Sequence, residues 1–435
     1  MADVTMADPA DPAEAPVSGP GGRRWVWASI VSLAVFLYGY CAGVAGGAVL
    51  YIPDDYRLST SQKGLVVSVF LLGAAVGALG TGRISDRYGR KPVLVASGVL
   101  FAVGMLVTMT APDLVVLLLG RVVQGLAAGL ASAVVPVYLS EVSTPRIRGR
   151  MVSLNQLGVT LGLLAAYLVG LAFSGARDWR WMFGAGLVPT VVLLAGLLFV
   201  PESSARHSSE DASSGSGGFK ALLDRSLRPA MAIGLVLAVL QQVAGINAVL
   251  YFAPTIMQDT GLDASNSLLY SVYLGALNVV LTMVSIQLVD RWGRRPLLLL
   301  STGLMVVALI PLGASFVWDL GSGPIALICL LAYVAAFAIG LGPVFWLMVP
   351  EMLPAKARAA GAALCTMANW AANFVVSQFF LNVIDAIGEG QTFWLFAVLC
   401  AAGFFYILWR VPETKDRTVG EITAGLGAQH ARRAG

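Results

Sequence analysis

The sequence predicts an all-α membrane protein with twelve transmembrane helices in two pseudo-symmetric six-helix bundles. Composition, the distribution of apolar runs and an internal repeat predict this class. Hydrophobic residues make up 57% of the 435, and charged residues make up only 12%. A soluble domain carries about 25% charged residues, so most of this chain is expected to face the lipid bilayer or other apolar helices.

Twelve apolar runs are long enough to cross a bilayer as helices. Backbone groups that face lipid need partners within their own segment, so we interpret all twelve runs as helices. Many contain glycines that allow close helix packing. The predicted spans are 25–51, 62–82, 92–111, 113–139, 151–174, 180–200, 229–257, 265–289, 296–317, 323–349, 359–384 and 392–410.

Two motifs recur between the halves of the chain. The heptapeptide Asp86–Pro92 returns as Asp290–Pro296, each copy lying between two apolar runs, and Pro201-Glu202 returns as Pro412-Glu413. Two similar halves indicate two bundles that flank a central path, an architecture found in carriers far more often than in enzymes. The predicted division is a disordered tail at 1–22, bundles at 23–200 and 229–411, a flexible linker at 201–228 and a second tail at 412–435.

The basic residues predict the orientation. Of the 28 Lys and Arg residues, only Arg57, Lys63, Arg177 and Arg180 fall in loops that follow odd-numbered spans. Cytoplasmic loops carry the excess of cations, so we expect a multi-pass protein of the cell membrane with both termini in the cytoplasm. The net charge of +4 reports this topology and does not indicate nucleic-acid binding.

Metal, redox and enzymatic chemistry have no support in the sequence. All four cysteines fall in apolar runs, and no pair has metal-ligand spacing. Both histidines lie outside the spans, so neither is placed to relay protons inside the membrane. We find no nucleophile–base pair or phosphate-binding loop and expect neither an enzyme nor a cofactor.

Amide and aromatic side chains interrupt the apolar spans of the second half. Sugar hydroxyls both donate and accept hydrogen bonds, as amides do, and aromatic rings suit the apolar faces of sugars. A single membrane amide is equally explained as a contact between helices worth about 1 kcal/mol, but a concentration of amides favours a polar cavity. Gln241, Gln242 and Asn247 are predicted on one face of a helix, with Gly245 giving clearance. The other members are Asn278, Asn369, Trp370, Trp346 and Phe337.

Charged residues at the cytoplasmic helix ends form a second set. Positive-inside topology with weak solvated pairs is one explanation. Because carboxylates accompany the cations at repeat-related places, we prefer a breakable lock that biases a conformational population. The residues are Asp86, Arg90, Glu141 and Arg148 in the first half and Asp290, Arg294, Glu351 and Arg358 in the second.

These motifs resemble those of the sugar porter family of the major facilitator superfamily, from about Gly39 to Thr418. The Gly-Arg loops are shared across that superfamily, whereas the Gln-Gln…Asn helix, Asn-Trp and the final Pro-Glu-Thr are specific to sugar porters. The matching segments are Gly82–Lys91, Gly120–Gly125, Pro136–Glu141, Gln241–Tyr251, Asp290–Arg295, Gly342–Trp346, Asn369-Trp370 and Pro412–Lys415.

The resemblance implies a major facilitator fold, transport by alternating access and a monomer. It implies sugar binding at the amide positions above together with Gln156 on the fifth span. The charged pairs would hold the inner gate closed when the site opens outward. Tyr251 and Phe252 stand where many relatives have two tyrosines of the outer gate, so Phe252 can block the path but lacks the hydroxyl.

Position 41 departs from the proton-coupled members of the family. They carry an Asp in the first span, within Gly-Tyr-Asp, near an Arg of the fourth span. Here the Arg remains as Arg121, but Cys41 follows Gly39-Tyr40. No Asp or Glu lies deep within a predicted span, and arginine stays protonated. A neutral residue at this position is typical of facilitative members, so we predict a uniporter for a hexose such as glucose, or for a pentose.

Several alternatives stay open at this point. A Cys41 thiol beside a cation could titrate near neutral pH, and a proton–sugar symporter could use another group. Arg121 could also have a purely structural role, bonded to helix carbonyls. A polyol or inositol carrier would suit the same amides. An efflux carrier would not be expected to keep the amide-rich helix, and a sugar sensor typically adds a long signalling tail.

Overall fold

The computed structural model is built from α-helices. It describes residues 21–52, 56–144, 147–203, 224, 227–318, 323–415, 417 and 419–422, and no strand occurs among them. Both predicted tails largely lie outside these ranges, as does most of the predicted linker. The side chains of Asp86, Arg148 and Asp290, which belong to the predicted lock, also lie outside the described part of the chain.

The described helices of the first half form six spans, of which the sixth consists of two consecutive helices. The predicted spans are confirmed here with shifts of a few residues at their ends. The helices are α1 (Gly21–Ala48), α2 (Thr60–Tyr88), α3 (Arg90–Met109), α4 (Leu114–Val142), α5 (Arg148–Ser174), α6 (Trp179–Gly184) and α7 (Leu187–Leu197).

The second half repeats this arrangement, with interruptions in its seventh and tenth spans. Together the halves provide twelve spans that are long and apolar enough to cross a membrane. The helices are α8 (Arg228–Val243), α9 (Ile246–Tyr251), α10 (Ala253–Asp259), α11 (Ala264–Trp292), α12 (Arg294–Val317), α13 (Gly323–Ile339), α14 (Leu341–Glu351), α15 (Ala355–Ile387) and α16 (Glu389–Arg410).

The seventh span is broken at Gly245, so the prediction of one continuous helix over 229–257 is wrong. Gly245 has φ +92, a left-handed conformation that separates α8 from α9. Side chains other than glycine rarely adopt this conformation. A Cβ at Gly245 would also lie 2.5 Å from the ring of Phe396. Asn247 therefore lies on a different helix from Gln241 and Gln242.

The tenth span is broken at Gly340, shortly before the Gly342-Pro343 pair. Pro343 has no N–H and cannot donate to the carbonyl of Ile339, four residues earlier. The hydroxyl of Ser285 lies 3.4 Å from that carbonyl oxygen and donates to it instead. Gly340 leaves the helical conformation at φ −135 and ψ −74, and α14 begins at the next residue. The proline thus explains the interruption.

Glycines allow the helices within each bundle to approach closely. A Cβ at Gly39 on α1 would lie 2.0 Å from the carbonyl oxygen of Val159 on α5. A Cβ at Gly125 on α4 would lie 2.1 Å from that of Phe70 on α2. Such contacts depend on small residues because lipid supplies no hydrophobic force between helices.

The two halves contact each other mainly along α2 with α15 and α5 with α11. Polar contacts from α2 to α15 lie at the membrane side that holds the start of α2. We call this side the clasp end, and its clasp is formed by Ser61, Ser68, Gln378 and Asn382. The side that holds the repeated Gly-Arg loops is the latch end. The site described below lies between them.

Candidate functional site

Four amide side chains form a hydrogen-bonded group in the middle of the second half. The Nε2 of Gln242 donates to Asn369 Oδ1 (3.1 Å) and to Gln241 Oε1 (3.2 Å). Asn369 Nδ2 donates to Gln241 Oε1 (2.8 Å), and Asn247 Nδ2 donates to Gln242 Oε1 (2.8 Å). We call Gln241, Gln242, Asn247 and Asn369 the amide cluster. It joins α8, α9 and α15.

The amide cluster satisfies nearly all of its own donors. Both Nε2 hydrogens of Gln241 are directed to the carbonyls of Leu341 and Gly342, at 3.1 and 3.0 Å. Asn369 directs its second hydrogen to Ala238 O at 3.0 Å. Asn247 is half-buried and makes one side-chain bond among the described residues, so it keeps hydrogen-bonding capacity. An incoming polar ligand would compete first for Asn247 and its acceptor, Gln242.

Aromatic rings and a hydroxyl pair lie between the amide cluster and the clasp. Trp370 is 6% exposed and contacts Tyr38 of the first half at a centroid distance of 5.6 Å. The hydroxyls of Tyr38 and Tyr251 lie near each other, and Asn373 Nδ2 donates to the Tyr251 hydroxyl at 3.4 Å. These contacts connect α1, α9 and α15 across the two halves.

The clasp end is closed by packed rings and backbone as well as by amides. Phe252 is completely buried and stacks on Phe380 at 5.5 Å. A Cβ at Gly46 would lie 1.8 Å from the carbonyl oxygen of Tyr251, and Tyr167 donates to the carbonyl of Leu250. No room is left at this end for a solute to pass between α1 and α9.

The clasp joins the halves through uncharged groups. Ser68 Oγ donates to Gln378 Oε1 (2.6 Å), and Gln378 Nε2 donates to the carbonyl of Ser61 (3.1 Å). Asn382 Nδ2 donates to Ser61 Oγ at 2.8 Å. A Cβ at Gly64 would lie 2.5 Å from the carbonyl oxygen of Gln378. The glycine therefore allows α2 and α15 to come within hydrogen-bonding range.

Arg121 is a completely buried cation in the first half. Its Nη1 donates to the main-chain carbonyl of Cys41 (2.7 Å) and to Gln124 Oε1 (2.8 Å), and its Nε donates to Val66 O (3.0 Å). The rings of Phe70 and Phe183 lie 4.9 and 5.6 Å from the guanidinium carbon. All of these partners are neutral. Carbonyl dipoles and ring faces compensate the charge.

Each half carries an ionic cluster at the latch end, and the two clusters have the same design. In the first, Arg90 Nη2 lies 3.1 Å from Glu141 Oε1, and Ser203 donates to the same carboxylate. Glu202 accepts from the backbone N–H groups of Arg90 (2.7 Å) and Lys91 (3.2 Å) at the start of α3. We call Arg90, Glu141, Glu202 and Ser203 the N-latch.

The C-latch consists of Arg294, Glu351, Glu413 and Thr414. Arg294 Nη2 lies 2.8 Å from Glu351 Oε1, and its Nε lies 3.2 Å from both oxygens. Thr414 Oγ1 donates to Glu351 Oε2 at 2.6 Å. Glu413 accepts from the backbone N–H of Arg294 at 2.9 Å. Carboxylates in this position stabilise a helix start through its unpaired N–H groups and its dipole.

Three comparisons with known proteins agree on one family. The family model described as "Sugar (and other) transporter" matches residues 27–216 and 204–426. The chain is 36% identical to the putative metabolite transport protein YwtG of Bacillus subtilis, over 90% of this chain and 92% of that protein. It is 35% identical to the galactose-proton symporter of Escherichia coli K12, over 91% and 93% of the two chains. The chain belongs to the sugar porter family of the major facilitator superfamily.

A solved structure extends the match to the fold of this sugar porter. The crystal structure of a D-xylose-proton symporter superposes with a TM-score of 0.81 at 29% identity, and the match covers 91% of this chain and 99% of that one. The predicted family and the predicted fold of two six-helix bundles are confirmed. As a member of a transporter family, the chain is not an enzyme.

The structure brings together only part of the predicted binding set of this sugar porter. Gln156 is half-buried on α5, and among the described residues no hydrogen bond joins its side chain to the amide cluster. Asn278 is 8% exposed on α11 and has no such bond either. Trp346 is 44% exposed and contacts Phe345, whereas Phe337 packs against Gly342. Their roles in binding stay predictions.

The described part of the predicted lock contains ion pairs between helix ends. The ion pairs Arg90–Glu141 and Arg294–Glu351 each lie within one half. Arg358 is exposed, and its Nε lies 3.4 Å from the carbonyl of Leu353. The pairs therefore join helix ends inside each bundle, and the gating role of these residues stays a prediction.

Sequence reasoning missed several residues of the site. Gln124, Asn373 and Gln378 are single amides in apolar helices, and nothing local distinguishes them from contacts between helices. Glu202 and Glu413 had a usable signal, because the recurring Pro-Glu pairs follow the last span of each half. Their position over a helix start required the fold.

Proposed function

We propose that this sugar porter moves a monosaccharide, either a hexose such as glucose or a pentose, by facilitated diffusion through alternating access. The amide cluster is the proposed binding site, with Trp370 and Tyr38 covering it toward the clasp end. Two amides from α8, one from α9 and one from α15 supply both donors and acceptors to a ligand rich in hydroxyls. Sugar transport is also what the names of several relatives state.

The neutral surroundings of Arg121 are the observation that favours facilitated diffusion over proton coupling. Proton coupling needs a group that gains and loses a proton during the cycle, and intramembrane carboxylates are the usual choice. Here Arg121 is bonded to three backbone carbonyls and to Gln124. Cys41 takes part through its carbonyl oxygen. The charge is compensated without any group that must change its protonation state.

One observation favours proton–sugar symport as a second candidate. The relatives include proteins named galactose-proton symporter and arabinose-proton symporter, which are 35% and 33% identical to this chain. A symporter of this sequence would have to take up its proton away from the position 41–Arg121 pair.

We also propose an orientation and a conformational state. The latch end faces the cytoplasm, because its loops carry the basic residues. The opposite end then faces outward. It is closed by the clasp, which joins the two halves, and by the stacked rings of Phe252 and Phe380. The proposed state is therefore one in which the path opens inward. The proposed division into bundles at 23–200 and 229–411 follows the same two halves.

The test uses purified protein in liposomes with labelled glucose and xylose, with and without an inward proton gradient. A facilitative carrier equilibrates the sugar to the external concentration whatever the gradient. Accumulation that an uncoupler abolishes would overturn facilitated diffusion in favour of symport. If neither sugar moves, labelled inositol and a polyol replace them in the same assay.

Matched variants connect the result to the site. The Gln242→Ala protein should fold as the wild type does but lose exchange of the labelled sugar. The control is Asn266→Ala, which removes an exposed amide at the start of α11 that belongs to neither the amide cluster nor the predicted binding set. Equal losses in both proteins would contradict the proposed site, whatever the outcome for the proton gradient.

A further inference from the structure

Gln124 is a buried amide that neither the predicted binding set nor the latches include. It lies one helical turn after Arg121 on α4, and both side chains are 0% exposed. Its Oε1 accepts from Arg121 Nη1 at 2.8 Å, and its Nε2 donates to Thr108 Oγ1 at 3.0 Å. Thr108 in turn donates to the carbonyl of Gly104 at 2.7 Å. A hydrogen-bonded chain thus runs from the backbone of α3 to the guanidinium.

The packing of α3 against α4 fixes this chain in place. A Cβ at Gly104 would lie 2.7 Å from Cγ of Gln124, and one at Gly120 would lie 2.4 Å from Oγ1 of Thr108. These glycines provide the space that the glutamine and threonine side chains occupy. Because protein interiors are densely packed, Gln124 has little freedom to turn away from Arg121.

The guanidinium of Arg121 has few donors left for another acceptor. It has five N–H groups. Nε donates to Val66 O, and Nη2 donates to Val67 O at 3.5 Å. Both hydrogens of Nη1 are used, one by the carbonyl of Cys41 and the other by Gln124. A carboxylate placed at position 41 can form a paired contact with Nη1 only if it displaces one of these neutral acceptors.

The titratable side chains around Arg121 contain no carboxylate among the described residues. Cys41 on α1 and Tyr251 on α9 face the guanidinium, and Tyr40 faces Cys41. The elements α2, α3 and α6 contribute carbonyls, Thr108 and the rings of Phe70 and Phe183. Gln124 is therefore the one side-chain oxygen in this set that accepts directly from Arg121.

We propose that Gln124 is a positioning residue that holds Arg121 as a fixed structural cation and thereby keeps transport independent of protons. The proposal rests on the proposed facilitated diffusion. It implies that a new carboxylate at position 41 has to compete with Gln124 for Nη1, the nitrogen that already contacts the position 41 carbonyl, so the carboxylate alone is not sufficient for coupling. Removing Gln124 and adding the carboxylate together should create the coupled pair.

The test compares four proteins in liposomes, each first checked for sugar exchange without a gradient. They are the wild type, Cys41→Asp, Gln124→Leu and the double variant Cys41→Asp/Gln124→Leu. We expect the first three to equilibrate sugar regardless of an inward proton gradient. The double variant should accumulate it, by up to about tenfold for a gradient of one pH unit with one-to-one coupling. An uncoupler should remove the accumulation.

Rescue separates positioning from general packing. Gln124→Leu leaves an N–H of Arg121 without its acceptor, so its exchange rate should fall, and Cys41→Asp in the same chain should restore part of the loss. A role in packing alone predicts additive losses. If the double variant does not exchange sugar, Cys41→Asp/Gln124→Met replaces it, since methionine fills a similar space without the amide oxygen that accepts from Arg121.

The outcomes that overturn the proposal are distinct from those that overturn facilitated diffusion. Accumulation by Cys41→Asp alone would show that Gln124 does not prevent pairing. Exchange without accumulation in the double variant, or in its Gln124→Met substitute, would show that Gln124 does not control coupling. Accumulation by the wild type would instead contradict facilitated diffusion itself.

Discussion

The latch ends of the two halves are built alike, whereas their membrane centres differ. The N-latch and the C-latch each combine an arginine at the start of one span, a carboxylate at the end of the following span, a hydroxyl and a helix-capping glutamate. At mid-membrane the first half holds the buried cation Arg121, and the second half holds the amide cluster.

This difference indicates how the halves divide their tasks. The repeat is kept where both bundles have the same bonded helix ends, and it is lost at mid-membrane, where the second half holds the proposed binding site. The symmetric motifs in the sequence therefore locate the two latches. The amides that break the symmetry locate the proposed binding site.

The largest expected effect comes from the asymmetric part. Gln242→Ala or Asn369→Ala leaves buried amides of the cluster unpaired and removes contacts from the sugar. A buried unsatisfied group costs about 1–3 kcal/mol, so kcat/KM for exchange should fall by about ten- to a hundredfold. Initial rates in liposomes measure this, with thermal unfolding to confirm that each variant is folded.

The next effect would sharpen the comparison between the latches. Arg294 contacts both oxygens of Glu351, and Arg90 contacts Oε1 of Glu141 through Nε and Nη2. Hydrogen bonds to charged groups contribute about 1.5–3 kcal/mol, so Arg294→Ala and Arg90→Ala should each lower the unfolding temperature more than a change at an exposed arginine. Arg358→Ala serves as the exposed control. A larger loss from Arg358 than from Arg294 would contradict this ranking.

A smaller effect is expected at the clasp, where the halves are joined. Gln378→Ala removes two hydrogen bonds between α2 and α15, and Asn382→Ala removes one. At about 1 kcal/mol for each bond, Gln378→Ala should shift the population toward opening at the clasp end several-fold more than Asn382→Ala. Spin labels on the exposed residues Arg57 and Ile387 report the separation. An unchanged distance distribution in both variants would remove the clasp from the gate.

The smallest effect concerns the pH dependence of the C-latch. Burial raises the pKa of Glu413, but bonds from the N–H groups of Lys415, Arg294, Arg295 and Thr414 outweigh it and hold the pKa below the ordinary glutamate value. Such a group stabilises the fold above its unfolded pKa, and the stabilisation is lost as pH falls through the folded pKa. Acidification should therefore lower the unfolding temperature less in Glu413→Gln than in the wild type. Parallel curves would contradict this.

The fold was predictable because its strongest signals are local. Length and apolarity of each run define a span without knowledge of its neighbours, and the repeated Gly-Arg loops define the halves. The breaks in the seventh and tenth spans were harder to predict from the sequence. Gly245 takes a left-handed conformation against the ring of Phe396, which is distant in sequence. At Gly340 the local cause is Pro343, but the hydroxyl that donates to the freed carbonyl of Ile339 belongs to Ser285 on another helix.

The site was predictable by residue type and less so by partner. Gln241, Gln242, Asn247 and Asn369 were identified as a set, and they do contact one another. Arg121 was identified too, but its acceptors are backbone carbonyls that carry no sequence signature. The same holds for the single amides of the clasp, which become recognisable only when α2 and α15 are placed side by side.

The self-contained bonding of the amide cluster has a consequence for the unloaded carrier. If the donors of a binding site were paired only with sugar, they would be left unpaired during each conformational change of the empty carrier. Here Gln241, Gln242 and Asn369 exchange their bonds among themselves and nearby carbonyls. We therefore expect the empty carrier to reorient across the membrane without bound sugar. Net uptake into empty vesicles should proceed nearly as fast as exchange into sugar-filled ones, which is the behaviour that lets a passive carrier empty a gradient in either direction.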